Sequence, residues 1–133
     1  MLIEGAKISI VDDDKSMREA IVTLIGSVGL NVEEFSSAED FLDSGRSQDF
    51  DCLILDVRMP GMGGLELQHR LAAAGRSLPI VFITAHHVEE EHARAMALGA
   101  VDFLTKPFAE QDLFDAIAAA LVLRKKIVDC VDE

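Results

Sequence analysis

Residues 52-CLILDVRMPGMGG-64 hold an apolar run, a single acid and a loop of Met, Pro and Gly. Cys52, Leu53, Ile54 and Leu55 show no polar alternation, the pattern of a strand buried on both faces. Asp56 stands where that strand must end. Pro60, Gly61, Gly63 and Gly64 then interrupt the pattern before the next helix starts. The stretch predicts one carboxylate delivered to the edge of a buried parallel sheet, beside a tight loop.

Working outward, strand and helix patterns alternate on both sides. Lys7–Val11, Asn31–Phe35, Ile80–Thr84 and residues 102–104 are short and rich in β-branched or apolar residues, as strands are. Met17, Ala20, Ile21, Leu24, Ile25 and Val28 recur at helical spacing, and Gly29 closes that helix. Ser37-Ala38-Glu39-Asp40 has the form of a capping box opening a short helix to about Ser44, with a loop over 45–50. Residues 64–74 predict a helix with Leu67, Leu71 and Ala74 on one face. Residues 88–98 predict another, with Ala93, Met96 and Ala97 inward. The last helix opens at Pro107, with Leu113, Ile117 and Leu121 on one face, widened by Phe114 and Ala118. Arg124, Lys125 and Lys126 suit its C-terminal end. Five βα units in succession imply a doubly wound α/β fold. Its expected form is a five-stranded parallel sheet in the order 2-1-3-4-5, a flavodoxin-like (βα)5 arrangement. Residues 1–126 make one domain, with 127–133 a C-terminal tail or the start of a linker.

Size and charge narrow the function. The chain of 133 residues is half hydrophobic and carries a formal charge of −12, from 12 basic and 24 acidic residues. That length suits one domain with a full core. The acidity argues against direct nucleic-acid binding, which needs basic surface, and against docking on anionic membranes. No segment approaches the ~20 apolar residues of a membrane span, and Glu4 stands where a signal peptide is apolar, so a cytoplasmic location is expected. Cys52 and Cys130 form neither a disulfide framework nor a metal motif and are expected to be reduced.

In such sheets ligands bind outside the carboxyl ends of the strands. Strand one delivers Asp12 and Asp13 there, strand three Asp56, and strand four Thr84; Lys106 follows strand five. Asp14 reads as a helix cap. Three neighbouring carboxylates need a cation or shifted pKa values. Oxygen ligands few in number suit Mg²⁺ better than Ca²⁺. A carboxylate nucleophile, a metal, a lysine and a hydroxyl together have the parts of a phosphoryl-transfer site.

With these residues assembled, the chain resembles a receiver domain of the two-component response regulators, the FixJ-type most closely. The resemblance rests on 10-IVDDD-14, 55-LDVRMPGMGG-64, 82-FITA-85 and 99-GAVDFLTKPF-108, and extends over about residues 5–123. It implies that Asp56 accepts a phosphoryl group from a phosphohistidine on a sensor histidine kinase. It implies further that Asp12, Asp13, Asp56 and the backbone carbonyl of Arg58 hold Mg²⁺, and that Lys106 pairs with the phosphoryl group. Thr84 would swing towards that group and the Phe103 ring would follow. The Lys106–Pro107 peptide would be cis. Two positions depart from the commonest family pattern. Phe103 stands where Tyr is frequent, and Gly64 doubles a glycine, which is expected to loosen the start of the third helix.

The resemblance carries an output with it: dimerisation through the fourth helix, fifth strand and fifth helix, or control of an attached transcription-regulating domain. The alternative is a stand-alone receiver acting by protein contact. Apolar Leu121, Val122, Leu123, Ile127 and Val128 exceed what one core-facing stripe needs and fit an interaction face. Arg58 and His86, two residues past Asp56 and Thr84, are expected to tune dephosphorylation. His86, His87 and His92 lie near Glu89, Glu90 and Glu91. A transition-metal site or pH sensor is one reading; a solvated helix start with acids at its positive end is the preferred one. Two other classes fit less well. A phosphatase with an aspartyl-phosphate intermediate wants a second Asp where Arg58 stands, and a flavodoxin-like binding module wants a phosphate cradle where Asp12–Asp14 would repel it.

Overall fold

The computed structural model describes residues 5–131, with side chains described through Val128. Its elements alternate without exception: β1 (Lys7–Val11), α1 (Lys15–Gly26), β2 (Asn31–Phe35), α2 (Ala38–Asp43), β3 (Cys52–Asp56), α3 (Gly64–Ala73), β4 (Ile80–Thr84), α4 (Glu89–Ala97), β5 (Asp102–Thr105) and α5 (Glu110–Val131). A 3-10 turn at Ser47–Asp49 occupies the loop expected over 45–50. All strands pair in parallel, in the order β2-β1-β3-β4-β5. The expected sheet and strand order are thus those observed.

The unbroken apolar runs have a direct structural meaning. β3 and β4 are buried at every position, because helices cover both sheet faces. Leu53 and Leu55 join Phe41, Phe50, Leu67, Leu71 and Phe82 in one core layer. Cys52 and Ile54, pointing the other way, join Ile21, Ile25, Leu113, Ile117 and Leu121 in the second. β2 and β5, at the sheet edges, are only partly covered. Burial of Cys52 pushes its thiol up to about 12, so it is inert. The Cys130 side chain, Glu4 and residues 132–133 lie outside what is described.

Three helical faces differ from expectation. On α4 it is Ala95 that is buried, whereas Ala93, Met96 and Ala97 face outward. The helix has few large apolar residues, so tertiary bonding sets its rotation: buried Gln68 on α3 donates to the Ala95 carbonyl at 2.9 Å. On α5, Ala116 and Ala120 widen the buried stripe, while Ala118 is exposed and Phe114 half-buried. On α3, Leu67 and Leu71 face in and Ala74, past the last helical residue, is exposed. α5 begins three residues after Pro107 and runs unbroken through 127–131. Among the described residues no helix is long and apolar enough to cross a membrane.

Candidate functional site

The carboxyl edge of the sheet gathers the residues predicted there. Register places Val11 beside Leu55, Asp56 beside Ile83 and Thr84 beside Thr105, so the ends of β1, β3, β4 and β5 lie level. Asp12, just past β1, is fully buried. Its Oδ1 accepts from the Asp14 amide at 2.9 Å, and Asp14 in turn caps α1 by accepting from the Met17 amide at 3.2 Å. Asp13 is exposed at the rim. Asp56 is buried to 7 % exposure, and its Oδ1 accepts a long 3.4 Å bond from the Arg58 amide. The Lys106 ammonium lies 3.6 Å from Asp12 Oδ2, and the Lys106–Pro107 bond is cis.

The electrostatics are unbalanced. Burial, then the neighbouring Asp12 carboxylate, raises the Asp56 carboxyl to about 7, with Lys106 opposing the shift. Asp12 Oδ2 is buried and makes no hydrogen bond, a costly arrangement for a carboxylate oxygen. Ligand oxygens of Asp12, Asp13 and Asp56 all lie within 4.8 Å of one another. An acidic, all-oxygen donor set with an orphaned buried oxygen fits a small hard cation such as Mg²⁺.

Several supporting residues escaped the sequence reading. Arg18, one turn into α1, donates Nη1 to the Asp12 carbonyl at 2.8 Å and Nε to Glu34 at 2.9 Å, steadying the acidic turn. Glu39 accepts from the Met62 amide at 3.1 Å and so clasps the β3–α3 loop. That backbone bond holds its carboxyl below the ordinary value. The capping box itself works through Ser37, which accepts from the Asp40 amide at 3.0 Å. Only the capping pattern hinted that an acid here would be placed firmly. Gly64 reverses its expected effect. A Cβ there would lie 2.2 Å from the Asp56 carbonyl oxygen, and its amide donates to the Val57 carbonyl at 3.0 Å. The second glycine lets α3 start directly against the backbone of Asp56, and it tightens the site instead of loosening it.

The remaining predicted residues line the β4–α4 side. Buried Thr84 donates its hydroxyl to the His86 carbonyl at 3.0 Å and accepts from the His86 amide at 3.2 Å. The Arg58 side chain is turned to Glu91 on α4, at 3.2 Å. The Phe103 ring is buried, tilted against Phe82 at 5.9 Å.

Three carboxylates at the switch edge of a 2-1-3-4-5 sheet, those of Asp12 and Asp56 buried and that of Asp13 exposed, faced by a lysine, define the class: an α/β signalling receiver. Residues 8–118 match the family model of the response regulator receiver domain, and the chain belongs to that family. It is thereby a signalling domain of two-component systems. It is 43 % identical over 129 residues to the transcriptional regulatory protein TdiR of Thauera aromatica, covering 97 % of this chain and 57 % of TdiR. The solved response regulator StyR superposes with a TM-score of 0.90 at 46 % identity, over 96 % of this chain and 64 % of that one. The crystal structure of FixJ-N gives 0.80 at 33 % identity, over 89 % and 94 %. The chain spans about half the length of the curated relatives it matches.

Proposed function

We propose that Asp56 is the phosphoacceptor of this receiver. A carboxylate oxygen of Asp56 attacks the phosphorus of a phosphohistidine on the sensor kinase; the P–O bond forms as the P–N bond breaks, and the imidazole nitrogen keeps the electron pair and takes up a proton. The observation that carries this reading is the raised, buried carboxyl of Asp56 beside the orphaned oxygen of Asp12. Asp12, Asp13, Asp56 and the Arg58 carbonyl hold Mg²⁺, which supplies positive charge that keeps Asp56 ionised and offsets the charge of the incoming phosphoryl group. Lys106 pairs with that group from the opposite side. Thr84 exchanges its bond to His86 for one to the phosphoryl oxygen, and Phe103 repacks with it. Hydrolysis follows when water attacks the same phosphorus and releases phosphate. Arg58 and His86 tune that step through water access, Arg58 only after leaving Glu91.

Phosphorylation biases a two-state equilibrium, read out by dimerisation through α4, β5 and α5. Val122, Leu123 and Val128 on α5 are exposed apolar residues, and 127–131, expected as a C-terminal tail or the start of a linker, extend that helix. The greater length of the relatives favours an attached transcription-regulating domain over a stand-alone receiver, in the cytoplasm, without direct nucleic-acid or membrane contact by this domain. The test is incubation with Mg²⁺ and acetyl phosphate, read by mass spectrometry. The wild type gains one phosphate and Asp56→Asn gains none; an unlabelled wild type, or an Asp56→Asn protein labelled to the same extent, overturns the assignment.

A further inference from the structure

The three histidines near α4 do not form one solvated row. His86 stays apart, while His87 in the β4–α4 turn meets His92 one turn into the helix. His87 Nε2 lies 3.1 Å from His92 Nδ1 and 3.8 Å from Glu89 Oε2. One donor atom from each of the three residues falls within 4.8 Å of the others. Tetrahedral ligands at the ~2.0–2.1 Å bond lengths of zinc sit about 3.3 Å apart, so the observed spacings bracket what such an ion requires. Arg58 is engaged with Glu91, which leaves the exposed Glu89 carboxylate to the histidines. Two imidazoles and one carboxylate select zinc, nickel or copper over magnesium.

We propose that His87, Glu89 and His92 form a second cation site, specific for a borderline divalent transition metal and separate from the acidic triad. The fold gives the site an aromatic floor. His92 stacks on the Phe103 ring, with centroids 4.8 Å apart and planes 12° from parallel, and His87 meets the same ring edge-on at 5.9 Å. The two imidazoles also pack edge-to-face, 5.2 Å apart. Both donor rings are therefore held on one buried aromatic surface, which lowers the ordering cost of ligation. A bound ion ties the β4–α4 turn to the first turn of α4 directly above Phe103. The two rings are assembled on Phe103 without a phosphoryl group on Asp56.

The test is calorimetric titration of Zn²⁺ alone into this chain, with excess Mg²⁺ already present to occupy hard-oxygen sites. Near pH 7.5 one equivalent binds. His87→Gln and His92→Phe each weaken it at least ~10-fold, because even residues that only support a metal ligand are worth ~10- to 100-fold in affinity. His92→Phe retains a ring on Phe103, so a loss of binding in this variant reports ligation and not a collapsed helix. Unchanged thermal melts without metal check that both variants fold. His69→Ala and Asp12→Asn leave the zinc equivalent in place. Absence of a zinc equivalent, its survival in both histidine variants, or its loss in Asp12→Asn overturns the proposal.

Discussion

At the residue scale, Asp56 shows how burial creates a need for a counterion. Its folded value near 7 stands above the ordinary 3.8, so between those two pH values the native state holds a proton that the unfolded chain has released. Linkage then makes stability fall as pH rises through that window and level off above about 7. Urea unfolding without Mg²⁺ from pH 4.5 to 8 will show this fall in the wild type relative to Asp56→Asn, and Mg²⁺ will stabilise the wild type more at pH 8 than at pH 5. Equal pH profiles for the two proteins would refute it. Gly64 makes a second prediction at this scale. An added methyl 2.2 Å from the Asp56 carbonyl oxygen forces backbone movement, and overpacking of this kind costs about 1–3 kcal/mol. That outweighs the gain of up to ~1 kcal/mol that Ala brings over Gly in a helix. Gly64→Ala will therefore lower the midpoint of denaturation and slow labelling by acetyl phosphate. Gly63→Ala, whose nearest neighbour would be the Val57 carbonyl at 3.2 Å, will do less of both.

At the element scale, the helices are held by apolar contact more than by charge. Phe41 on α2 is fully buried and meets Phe35 edge-to-face at 5.2 Å. Phe41→Ala will destabilise by about 3–5 kcal/mol, the range for emptying a packed aromatic site. The Arg58–Glu91 pair links the β3–α3 loop to α4, but the Arg58 side chain is more than half exposed, and Arg58→Ala will change stability by less than ~1 kcal/mol. Chemical denaturation of the two variants side by side checks the ranking. α4 is also the element that hydropathy placed badly. Its outward Met96, half-buried His92 and buried Ala95 are opposite to a purely apolar ordering, because one large apolar residue does not outweigh the tertiary contacts on the other face, among them the Gln68 bond to the Ala95 carbonyl. β3 and β4 were legible for the converse reason: each is an unbroken apolar run up to the single polar residue at its end, Asp56 or Thr84, so both faces are buried whichever way the strand turns.

At the scale of the whole molecule, a chain carrying −12 must overcome self-repulsion to dimerise. Screening at higher ionic strength weakens that repulsion. Sedimentation of the chain treated with acetyl phosphate and Mg²⁺ will show a shift from monomer to dimer, tighter at about 0.5 M than at about 0.05 M salt. Val122→Asp, on the exposed flank of α5, will weaken that dimer and leave Asp56 labelling intact. A dimer indifferent to phosphorylation would contradict the proposed readout.

The sequence alone determined the alternation of strands and helices, the parallel sheet and the delivery of Asp12, Asp13, Asp56, Thr84 and Lys106 to one edge. These follow from period, turn residues and chain direction, all of which are local. Tertiary structure alone decided that Glu39 reaches 23 residues along the chain to clasp Met62, that Gly64 lies against Asp56, and that His87 and His92 meet over Phe103. Those contacts join elements whose relative rotation and depth are set by packing. No local pattern encodes the distance between side chains carried by different elements; close packing of the intervening layers does.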